Sequence, residues 1–136
     1  MNVGEALAAW RSHHHRLEDG PKRVFWVTVG PLRIPVPHPG ALHWHDLHHV
    51  ALGVGPDLVG EIEVSAFELR TGAANAILLF LCIAAVLLGV FVAPRRTLAA
   101  FRRARGSRNL YRCRVPREEV LSWPVAELRN WMRLGC

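Results

Sequence analysis

The sequence predicts a mostly α-helical, single compact domain with a small N-terminal β-hairpin and one long apolar helix. Three observations predict it. A run over 41–52 lacks Gly and Pro, a run of 21 residues over 73–93 carries no formal charge, and consecutive β-branched and aromatic residues are concentrated in RVFWVTV at 23–29. A chain of 136 residues with 51% hydrophobic content suffices for one core without staples, so residues 1–136 are taken as one domain. Its parts are an N-terminal helix and hairpin (1–40), motif helices (41–72), an apolar helix (73–93) and basic C-terminal helices (94–136).

In chain order, residues 1–18 predict a helix, with Asn2 as its cap and Leu7 and Trp10 three apart on one face. Gly30 and Pro31 turn the strand at 23–29 into a second at 32–36, and Pro35, Pro37 and Pro39 confine that strand to an edge by removing backbone donors. The helix at 41–52 ends at Gly53, Gly55 and Pro56. Asp57 then caps a second helix, with Glu61 and Glu63 near its positive end, running to Thr71 and Gly72. The apolar run stops at Pro94, an arginine-rich helix continues to about Arg105, GSRNLYRC is irregular, and Pro116 and Pro124 open two short helices.

The net charge of +6 is unevenly placed. Residues 1–94 hold 6 Lys plus Arg against 8 acids, whereas residues 95–136 hold 11 against 3. Arginine clustered directly after an apolar run suits an anionic lipid surface, with Arg95, Arg96, Arg102, Arg103 and Arg105 as the lipid-facing cations. Nucleic acid fits less well, because Phe101 and Tyr111 are too few and too far apart for a stacking platform. Three cysteines without CxxC spacing argue against a disulfide framework and for a reducing compartment. The first residues lack the pattern of a secretory signal, so the expected location is the cytoplasmic face of a membrane, peripheral or single-span.

The chemistry-bearing stretch is HDLHH at 45–49, followed after eleven residues by Glu61. A spacing of four puts His45 and His49 on one helix face, with Asp46 at its edge, and the break at 53–56 lets the next helix bring Glu61 alongside. Two imidazoles with carboxylates suit zinc, or alternatively iron or manganese, better than magnesium. Zinc has no redox chemistry, so an oxidative step would require another metal or a separate oxidant. Glu68, two turns beyond Glu61, is a candidate orienter of a ligand or carrier of a proton, and His48 stands behind the ligands or faces solvent. His43, like His48, stands behind the ligands or faces solvent, and the tract at 13–15 reads as solvated; Trp26, Trp44, Trp123 and Trp131 read as core or interfacial anchors, and Cys82 as an inert small hydrophobe.

HDxxH followed by Glu after eleven residues resembles the motif of the coenzyme Q biosynthesis protein four family. Beyond it, PRRTLAAFRRARGSRNLY and VPREEVLSWPVAELRNWMRLG are similar to successive family segments, so the likeness runs from Leu42 to the C-terminus. The resemblance implies a mostly α-helical fold, a zinc-type site of His45, Asp46, His49 and Glu61, association with a membrane face and binding of isoprenoid lipids or quinone precursors. It further implies ring decarboxylation of a prenylated aromatic acid in ubiquinone assembly. The chain departs from long family members by a hairpin in place of an extended N-terminal helical region. Other functions compatible with the motif are a lipid-binding scaffold without catalysis, or a metal-dependent hydrolase or cyclase in secondary metabolism. An apolar helix of this length also calls for a partner: a bilayer, a second copy of the chain or a biosynthetic complex.

Overall fold

The computed structural model describes residues 1–14, 24–29, 31–37 and 41–134. It is mostly helical. Helix α1 (Val3–His14) is followed by strands β1 (Val24–Val29) and β2 (Leu32–Pro37), then α2 (Leu42–Leu52), α3 (Leu58–Thr71), α4 (Ala76–Val92) and α5 (Pro94–Arg103). A 3-10 turn (Leu110–Arg112) and helices α6 (Arg117–Ser122) and α7 (Val125–Trp131) complete the order.

The first helix starts where a reciprocal cap forms: Asn2 Oδ1 accepts from the Glu5 amide at 2.8 Å, and Glu5 Oε2 accepts from the Asn2 amide at 2.9 Å. The Val3 amide also donates to the Trp123 carbonyl at 2.8 Å, which ties the start of the chain to the α6–α7 junction. The expected extension of this helix to residue 18, the rest of the histidine tract beyond His14, and the side chain of Trp26 lie outside the described residues; His13 is exposed. Strands β1 and β2 pair antiparallel, with Val24 opposite Pro37 and Val29 opposite Leu32.

Gly53 ends α2 in the left-handed region (φ 72°), a conformation that disfavours side chains bearing a Cβ, and its amide returns to the His49 carbonyl. The Asp57 side chain then accepts from the Gly60 amide to open α3. A buried cluster joins Val3 and Leu7 of α1, Leu47 and Val50 of α2, Phe67 of α3, Leu110, Val120, Leu128 and Met132. Trp44, Trp123 and Trp131 flank it, half-buried.

The apolar helix is shorter than expected. Asn75 caps it by accepting from the Leu78 amide and Pro94 begins α5, so 73–93 reduces to 17 helical residues, about 26 Å at 1.5 Å per residue. Among the described residues no helix is long and apolar enough to cross a membrane. One side of α4 packs on α3: Leu78, Cys82 and Gly89 are buried, and a Cβ on Gly89 would run into Ile62 and Thr97. The opposite side leaves Phe80 68% and Phe91 85% exposed, with Ile83, Leu87 and Val90 exposed between them. Helix α5 follows, packed on α3, with Arg95, Arg102 and Arg103 exposed; the exposed Arg96 forms two hydrogen bonds to Glu63. Arg105, exposed just past α5, lies in the turn that ends it.

Candidate metal centre

Helix α2 places His45 above His49 by the four-residue spacing, and their Nε2 atoms lie 3.3 Å apart. Helix α3 lays the Glu61 carboxylate across both: Oε2 is 3.2 Å from His45 Nε2 and Oε1 is 3.4 Å from His49 Nε2. These three residues form a group whose ligand atoms could hold one metal ion. The fit is chemical as well as geometric. A tetrahedral ion with nitrogen and oxygen donors at about 2.0–2.1 Å has donor-to-donor edges of roughly 3.3 to 3.4 Å, the separation of the two Nε2 atoms, and one ligand atom from each of the three residues lies within 4.8 Å of the others.

The far ring nitrogens are also occupied. His49 Nδ1 lies 3.3 Å from the Val54 carbonyl, which can only accept, so Nδ1 carries the proton and Nε2 is left to the site. His45 Nδ1 lies 2.8 Å from Glu68 Oε1. The side chains of His49 and Glu68 are fully buried, that of His45 nearly so, and that of Glu61 is 26% exposed, so the group opens toward solvent past Glu61.

Burial alone would lower the His45 pKa, but the Glu68 charge and the hydrogen bonds that the ring donates to Glu61 and Glu68 outweigh it and raise it to about 10. Burial pushes both Glu61 and Glu68 toward protonation, and their histidine partners more than reverse this, holding both well below the ordinary carboxylate range. His48, fully buried, is pulled down by desolvation.

Asp46 stands outside the group of three. Its Oδ2 takes the Arg11 guanidinium at 2.8 and 3.2 Å, because the carboxylate leaves the edge of the helix toward α1 rather than toward α3. His48 turns away from the group: its Nδ1 is 2.7 Å from Glu68 and its Nε2 accepts from the Leu110 amide at 3.2 Å. Cys82 is buried as a small hydrophobe would be, yet its thiol faces Glu68 Oε2 at 3.6 Å. Burial first, and then the Glu68 charge, push that thiol up and keep it protonated.

Sequence reasoning missed three contributors. Trp10 of α1 covers His49 with ring centroids 5.0 Å apart and donates to the Val54 carbonyl, Arg11 holds Asp46, and the Tyr111 hydroxyl donates to Glu68 Oε1 at 2.8 Å. Local spacing carries no signal for contacts spanning 35 to 44 residues. A cavity of about 420 Å³ lies elsewhere, lined by Leu52, Arg103, Val125 and Arg129 among others but by none of the three grouped residues. No protein-family model, curated protein or solved structure matches the chain.

Proposed function

We propose that this chain is a metal-dependent, membrane-associated enzyme resembling the coenzyme Q biosynthesis protein four family. Its substrate would be a lipophilic prenylated aromatic, and its chemistry of the ring-decarboxylation type. The observation that carries this reading is the convergence of His45 Nε2, His49 Nε2 and the Glu61 carboxylate at mutual distances of 3.2 to 3.4 Å. Two imidazoles and one carboxylate would leave a four-coordinate ion one position for water or substrate, the pattern of catalytic rather than structural sites, and the group is open to solvent past Glu61.

A zinc ion, or iron or manganese in its place, would supply Lewis-acid stabilisation of charge developing on a substrate carboxylate or phenolate. His45, His49 and Glu61 are the residues that would hold it. Trp10 closes one wall over His49 and keeps water from that side of the ring. The exposed apolar side of α4 and the guanidinium groups after it provide a footing on an anionic lipid surface, where a lipophilic substrate is concentrated.

The test is complementation of a strain blocked at ring decarboxylation, with metal analysis of the purified protein alongside. Rescue that is lost on Glu61→Ala, with about one dication per chain, is the expected result; failure to bind any dication removes the reading. The separation of the 420 Å³ cavity from the metal group favours one second reading, a non-catalytic lipid-binding scaffold. Full rescue by the Glu61→Ala chain would select it.

A further inference from the structure

Glu68 is fully buried, and one of its oxygens is shared by three donors. Oε1 lies 2.8 Å from His45 Nδ1, 2.7 Å from His48 Nδ1 and 2.8 Å from the Tyr111 hydroxyl, while Oε2 faces the Cys82 thiol. The direction of each bond follows from chemistry. A backbone amide can only donate, so the Leu110 amide makes His48 Nε2 an acceptor and leaves the proton of the neutral ring on Nδ1. An ionised carboxylate can only accept, so Tyr111 and His45 Nδ1 are donors as well. The partners come from α2, α4 and the 3-10 turn, so this carboxylate is set from three directions before anything binds at His45.

We infer that Glu68 is a positioning residue for the candidate metal centre: it keeps a proton on His45 Nδ1, leaving Nε2 as the one ring atom available to an ion, while His48 and Tyr111 fix the carboxylate that does so. The consequence for metal affinity rests on the function proposed above; the hydrogen-bond assignment does not. Val54 plays the same part for His49 through its carbonyl, but a carbonyl brings no formal charge. Glu68 brings one, which raises the electron density of the His45 ring as well as its orientation. Burying a carboxylate is costly, and the three donors are what make it tolerable here. Glutamine at 68 keeps the shape but loses the charge, and its amide oxygen cannot satisfy three donors equally well.

The experiment uses the full chain with isotope-labelled histidine, read by heteronuclear NMR in the metal-free and zinc-loaded forms. Zinc affinity is measured in parallel by competition with a chromophoric chelator. In the wild-type chain the His45 Nδ1 proton is expected to be strongly downfield and slow to exchange, His48 to be the Nδ1–H tautomer, and zinc to bind through His45 Nε2. Glu68→Gln should move the Nδ1 resonance upfield and weaken zinc by about 10 to 100-fold. Tyr111→Phe, which removes one of three donors and no charge, should cost less. A folded Glu68→Gln chain with wild-type zinc affinity and an unmoved His45 resonance overturns the inference. If Glu68→Gln does not fold, the wild-type spectrum decides, and zinc coordinated through His45 Nδ1 overturns it. If no chain binds zinc, the metal reading fails by itself; a hydrogen-bonded His45 Nδ1 proton in the metal-free spectrum still upholds the assignment to Glu68, and its absence refutes it.

Discussion

His45 Nε2 and His49 Nε2 face each other across 3.3 Å, with the Glu61 carboxylate closing the third side. Two ring nitrogens this close, each with its other nitrogen beside a hydrogen-bond acceptor, form a donor pair in need of a proton or a cation between them. Removing one corner should therefore disable the whole. His49→Ala or Glu61→Ala is expected to lower zinc affinity by at least ~100-fold, since a site left with two protein ligands is no longer a tetrahedral zinc site. Equilibrium dialysis with elemental analysis checks this, and retained stoichiometric zinc in both variants would count against the centre.

Metal uptake should depend on pH with a definite sign. The His45 pKa is raised to about 10, so at neutral pH the free ring is an imidazolium and an ion entering at Nε2 must displace a proton. Apparent affinity therefore rises with pH, by up to about tenfold per unit between pH 6 and 8 for one proton released. Calorimetric titration in two buffers of different ionisation enthalpy measures that proton directly. A zero proton count would refute the prediction.

Asp46 offers the sharpest contrast with the motif as read from the sequence. Because it pairs with Arg11 and stands outside the group of three, Asp46→Asn should weaken zinc by less than ~10-fold, far less than Glu61→Ala. Arg11 is about one third exposed, so loss of its ion pair should cost no more than about 1 kcal/mol of stability in urea unfolding. A collapse of zinc affinity in Asp46→Asn would restore Asp46 as a ligand.

Gly89 sets how closely α4 approaches α3 and α5. Replacing it with Ala gains about 1 kcal/mol of helix propensity. The new methyl, however, would overlap Ile62, which is fully buried, and Thr97, and overpacking of this kind costs about 1 to 3 kcal/mol. The expected net result is a less stable protein by thermal or urea unfolding, and a stabilised Gly89→Ala chain would show that the helices have room to part.

The outer side of α4 should matter for lipid and not for folding. Phe80→Lys combined with Phe91→Lys alters two highly exposed side chains and leaves the α3-facing side untouched. Co-sedimentation with vesicles rich in anionic lipid should drop despite the two added positive charges, because buried apolar area and not charge alone holds a helix in the interface. Unchanged sedimentation would leave the arginines as the only lipid contact.

The sequence by itself determined the helical class and the pairing of His45 with His49. Both are local: hydrophobic patterning and a four-residue spacing act within one or two turns, whatever the rest of the chain does. It also marked the break at 53–56 that allows Glu61 to return, and Asp57 as the cap that starts α3. Only the tertiary structure decided which carboxylate joins the imidazoles. The sequence offers Asp46 and Glu61 together as ligands; the packing of α1 and of α3 against α2 pairs Asp46 with Arg11 and brings Glu61 to the histidines. The length of the apolar helix was settled by the cap at Asn75 and the restart at Pro94, and its division into a buried and an open side by where α3 lies. Tyr111 reaches Glu68 across 43 residues of chain, a distance at which no repeating pattern survives and only the closing of the core brings two side chains together.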